Sequence, residues 1–203
     1  MATPSVTESH SKNAHFHFDS DAVAHFETVG WRANYARNWP YMLYLAIRLL
    51  QAQFRMSLLQ ALRAAYYVTR ASVAWVPIDH DLDVVRVNLE EFYRLAHQAA
   101  GLPLDPIQAA ALELKYWIVH RELSGKPDKT ALVESLAELH AGIFGASVQA
   151  MRPSAENRAA AATTVDLITS HQSKDVEADY RLIEDYLRKA YRQINEAIAA
   201  QPR

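Results

Sequence analysis

Val176, Tyr180, Ile183, Leu187, Tyr191, Ile194 and Ile198 recur at intervals of three and four residues. Only an α-helix gathers such a spacing onto one apolar face. The opposite face carries Glu177–Arg181, Glu184–Arg188 and Asp185–Lys189, three acid-first pairs one turn apart that suit a solvated helix surface. So long an apolar stripe has to be covered by other elements, and the rest of the chain offers helices to cover it. Just five glycines interrupt 203 residues rich in Ala, Leu, Arg, Glu and Gln, and no stretch sustains an apolar–polar alternation of period two. The sequence therefore predicts an all-α protein: a flexible polar arm over residues 1–18, then a single-domain helical bundle of about seven or eight helices over 19–203.

Capping residues and breakers divide the bundle. Asp19-Ser20 opens a first helix reaching about Ala36. Asn38-Trp39-Pro40 restarts the chain into a second helix ending near Phe54. Ser57 caps a third, or else residues 40–75 form one long rod or hairpin that the other helices wrap. Val76-Pro77 closes that unit, because the residue before proline avoids helical geometry. Asp79 or Asp81 starts a fourth helix that stops at Gly101, Asp105-Pro106 a fifth ending near Gly125, and Pro127-Asp128 a sixth ending near Gly145. The Met151-Arg152-Pro153-Ser154 segment reads as a turn into a seventh helix over roughly 155–171.

Composition removes several classes of function. With no cysteine, disulfide staples, thiolate catalysis, cysteine-ligated iron–sulfur clusters and the common structural zinc sites are excluded. Residues 1–18 lack the basic and apolar regions of a secretory signal. The most apolar run, residues 40–50, is interrupted by Arg48 and falls far short of the ~20 residues that span a bilayer. A cytoplasmic protein with no membrane span is the expectation. No P-loop, dinucleotide glycine fingerprint, Gly-x-Ser-x-Gly or His-Glu-x-x-His is present, so no cofactor is indicated.

Charge is segregated along the chain. Residues 28–78 hold six arginines (Arg32, Arg37, Arg48, Arg55, Arg63 and Arg70), nine aromatics and no Asp or Glu, for a net +6; residues 1–27 sum to −3 and 79–203 to −5. Arg48, Arg55, Arg63 and Arg70 are spaced seven, eight and seven residues apart. On one continuous helix they would share a face and, with Tyr44, Tyr66 and Trp75, line a groove for an anionic group on an apolar or planar body. The bland alternative pairs them with Asp79, Asp83, Glu90, Glu91 or Glu113 from other helices. Nucleic acid is disfavoured, since the segment contains no lysine and the whole chain is mildly acidic.

Two weaker constellations remain. Asp79 and Asp83, four residues apart, would share a helical face and offer a divalent-metal site, with Asp175 and Asp179 as a second acid pair. Acids also belong at helix starts for reasons of dipole alone. On the fifth helix Glu113, Trp117 and His120 fall on one face. His120 is the best general-base candidate, with Glu113 or Glu122 to orient it, set against a core histidine satisfied by a neighbour. The sequence thus favours a binding protein whose arginine–aromatic face takes a partner protein or an anionic amphipathic small molecule, with a homo-oligomer left open. An Arg-lined helical enzyme built on His120 is the alternative.

Overall fold

A computed structural model describes residues 16–201. These form eight helices and no strand: α1 Ser20–Tyr35, α2 Trp39–Phe54, α3 Leu58–Trp75, α4 Leu82–Ala100, α5 Pro106–Leu123, α6 Thr130–Phe144, α7 Val148–Thr169 and α8 Val176–Ala199. The protein is an all-α bundle, and no described helix is long and apolar enough to cross a membrane. Each helix packs against its neighbours in chain order, and α8 closes the circuit by packing on α1 as well as α7.

Local chemistry sets the boundaries. Asp19, Asp81, Asp105 and Asp175 accept hydrogen bonds from the free N–H groups of the first turns of α1, α4, α5 and α8. Residues 40–75 are not a single rod. Arg55 ends α2 in the left-handed region at φ 55°, and Ser57 opens α3 with a capping box in which Ser57 and Gln60 bond each other's backbone N–H. The two helices become members of the circuit, not its axis. At the other discrepancy α7 begins at Val148, capped by Ser147, and runs through the segment expected to turn. Pro153 sits in its second turn, where the helical bond it forfeits is the one to exposed Gln149.

The α8 stripe is core. Tyr180, Ile183, Leu187, Tyr191, Ile194 and Ile198 are all buried, while Val176 at the N-terminal end is exposed. Each of the fully buried aliphatics contributes about 1.5–3 kcal/mol of burial. On the polar face Glu184–Arg188 forms as expected at 3.0 Å, but Arg188 also takes Asp185, and Glu177 turns to Arg32 on α1.

The packed domain begins earlier than Asp19, since Phe16–Phe18 belong to it. Phe18 is buried edge-on to Tyr191, and Phe16 stacks on Phe144 at 5.9 Å. Asn195 donates to the Phe18 carbonyl (2.8 Å), and Arg55 donates to that of His17 (2.8 Å). Two phenylalanines outweigh the polar context that made this stretch read as arm. Residues 1–15 of that expected arm lie outside the described residues.

Candidate functional site

Where α1, α2, α3 and α5 face each other, with α7 at the back, they leave a cleft of about 740 Å³. That size falls within the range of small-molecule sites. Its walls are mostly apolar and aromatic. All four tryptophans of the chain line it: Trp31 from α1, Trp39 from the first turn of α2, Trp75 from the last turn of α3 and Trp117 from α5. Met42, Ala46 and Leu49 of α2 and Val68, Thr69 and Val73 of α3 also line it, and Gly30 of α1 leaves room at the α1 wall.

Polar groups behind the wall hold it in place. Glu27 of α1 accepts both Nη atoms of Arg158 on α7 (2.7 and 3.0 Å) and the Tyr191 hydroxyl of α8. Arg158 also donates to Tyr191 at 2.9 Å. Glu113 accepts from the Tyr93 hydroxyl (2.8 Å) and from the Trp117 indole N–H (2.8 Å). Burial pushes the Glu113 carboxyl above the ordinary range, against the opposing pull of those two donors and of Arg158. The expected role of Glu113 is therefore corrected. It orients Trp117, one turn further along α5, and does not reach His120.

The partner of His120 is Asp166, from α7. His120 Nε2 lies 3.4 Å from Asp166 Oδ2, and the imidazole stacks parallel to Tyr116 at 5.9 Å. Both atoms are buried, and among the described residues neither makes a hydrogen bond. The pair sits in the cleft lining with Tyr35, whose hydroxyl is raised by burial and by the Asp166 carboxylate even though half of the residue is exposed. At the rim, Arg121 donates to the carbonyls of Trp75 (2.6 Å) and Pro77 (3.3 Å), meets His80 Nδ1 at 3.0 Å and lies 3.8 Å over the Trp75 ring. It ties the end of α3 to α5. No described carboxylate pairs with it.

The arginine series does not converge on this cleft. The break between α2 and α3 ends its common register, and none of Arg48, Arg55, Arg63 and Arg70 is in the lining. Arg48 lies over Phe26, Arg55 reaches the chain at His17, Arg70 donates to Tyr66, and Arg63 is exposed. Among the described residues none of the four pairs with a carboxylate; Asp83 and Glu90 take Arg86, and Glu91 takes Arg94. Tyr44 stacks on Tyr41 at 6.2 Å on the outside of α2, and Tyr66 is likewise exposed on α3. Of the seven expected ligand-binding residues, Trp75 alone is in the cleft.

Asp79 and Asp83 do not share a helical face, because α4 starts at Leu82 with Asp81 as its cap and Asp79 lies in the preceding turn. Asp83 pairs with Arg86 at 2.9 Å, and no cluster of three metal-ligating side chains occurs among the described residues.

No protein-family model matches the chain, and no curated protein or solved structure is significantly similar to it. The site has to be read from its own chemistry.

Proposed function

We propose that the protein binds a small amphipathic molecule in the tryptophan-lined cleft. An apolar or aromatic body fits between Trp31, Trp75 and Trp117, where flat indole faces give contact at little entropic cost. The polar end lies against the part of the His120 and Asp166 side chains that stays open to the cleft, 26% and 23% exposed. A group that both donates and accepts, such as a carboxamide, a phenol or a carboxylic acid, satisfies an imidazole and a carboxylate together. Arg121 at the rim supplies the positive potential that favours an anionic substituent. The observation that carries this reading is the convergence of all four tryptophans on one cleft whose lining also holds His120 and Asp166, 3.4 Å apart.

The same pair favours a second reading, in which His120 acts as a general base oriented by Asp166. The two readings separate at Asp166→Asn. For a binding protein the change weakens retention of the ligand. For an enzyme it leaves the ligand bound and removes turnover.

Native mass spectrometry of the purified protein tests the proposal. A co-purifying molecule of a few hundred daltons is expected, lost from a variant in which Ala46→Phe fills the cleft. Adducts that are identical in the two proteins would count against the cleft.

A further inference from the structure

The outer face of α3 has a second pattern, which borders the cleft at Thr69, Val73 and Val76. Its inner face is made of Ala61, Ala64, Ala65 and Ala71, all buried, which lets neighbouring helices approach closely. Its outer face reads Leu59, Leu62, Tyr66, Thr69, Val73 and Val76, alternating intervals of three and four. Apart from Thr69 these are exposed, Leu59 by 60% and Val73 by 67%. Single exposed apolar side chains are ordinary; five on one heptad register form the seam of a two-stranded coiled coil. Arg63 and Arg70 follow Leu62 and Thr69 at the flanking position of successive heptads, and neither pairs with a described carboxylate.

We infer that this face of α3 docks an acidic amphipathic helix from a partner protein. The seam runs along one helix at coiled-coil spacing, the footprint of a single docked helix. Charge fixes the partner's chemistry. Arg63 and Arg70 at the seam's edge are exposed and lie in a segment, 28–78, without any acid, which favours Glu or Asp on the partner's flanks. A second copy does not supply them. In antiparallel pairing Arg63 meets Arg70, and in parallel pairing the arginines face Leu58 and Ala65. Thr69, Val73 and Val76 belong both to the seam and to the cleft lining, so the docked helix overlies the cleft mouth.

The test uses a synthetic helix of about three heptads with Leu and Val along its seam and Glu at both flanking positions, which also keep it from pairing with itself. Its affinity for the full chain is read by fluorescence anisotropy beside that of a Lys-flanked version. The Glu helix is expected to bind at micromolar concentration, at least about tenfold more tightly than the Lys helix. Leu62→Ser is expected to weaken binding, and R63E combined with R70E to reverse the preference toward the Lys helix. That gain of binding cannot come from a misfolded protein. Equal affinity for both helices, or no reversal in the double variant, overturns the inference. So does Leu62-dependent binding to vesicles of phosphatidylcholine and phosphatidylserine without helix binding, or Leu62-dependent dimerisation in sedimentation.

Discussion

His140 makes the protein acid-labile by an amount that can be worked out. It lies on the buried face of α6, with Nδ1 2.8 Å from the Ser154 hydroxyl of α7. Ser154 spends its proton on the Met151 carbonyl at 2.7 Å, so it accepts from His140, whose Nδ1 therefore carries hydrogen in the neutral ring. Burial first, and the nearby Arg158 charge second, push the imidazole down from its ordinary 6.5 to about 3. The unfolded chain therefore binds a proton below pH 6.5 that the folded chain refuses until about pH 3. Stability is full above pH 6.5 and is lost as pH falls through that window. At pH 4.5 the loss from this one group is about 3 kcal/mol, two pH units at 1.36 kcal/mol each. His140→Asn keeps a donor near Ser154 and removes the titration. Urea unfolding at a series of pH values should show the wild type losing about 3 kcal/mol more than this variant between pH 7.5 and 4.5. Parallel curves would refute the assignment of a buried neutral histidine.

Three further outcomes follow from the packing. Leu187→Ala, at a fully buried position of α8, should cost about 2–5 kcal/mol in urea unfolding, against well under about 1 kcal/mol for Lys189→Ala on the polar side; equal small effects would mean the stripe is not core. Glu27→Gln leaves Arg158 buried without its carboxylate and should cost about 3–5 kcal/mol, with Arg158→Met recovering part of that loss in the double variant. Strict additivity would show that the pair is uncoupled. Gly30→Ala should raise the unfolding free energy by about 0.5–1 kcal/mol in urea titration, because Gly30 is helical and a Cβ there meets nothing nearer than the Leu45 Cβ at 4.0 Å.

The fold was legible because its signals are local. Asp19, Ser57 and Asp105 announce helix starts through side-chain chemistry, and the α8 stripe announces burial through period alone. The departures came where a local rule has two outcomes. Pro153 reads as a breaker and is tolerated in the second turn of α7, and Arg55 carries no mark of a left-handed helix end. The cleft was less legible, because its residues come from five helices and pair across long separations. His120 stood out, but Asp166 lies 46 positions further on. A trace of it was present: Asp166 is the one acid between Glu156 and Asp175, and Arg158 the one Arg or Lys between Arg152 and Lys174, both in an alanine-rich helix. Isolated charges in such surroundings have to be satisfied inside the fold or used there. The arginine spacing misled for the converse reason. It assumed a continuous helix, and a three-residue break between α2 and α3 removed the shared face.

The placement of all four tryptophans around one cleft makes intrinsic fluorescence the most direct test of the ligand site. The probe is 1-anilinonaphthalene-8-sulfonate, a planar apolar body with one anionic group, titrated into the native protein. Saturable quenching with one-site stoichiometry is predicted, weakened at least about tenfold by Arg121→Ala and lost in Ala46→Phe, while Leu59→Ser on the outer face of α3 leaves it unchanged. Quenching that persists in Ala46→Phe, or that disappears in Leu59→Ser, would contradict the account.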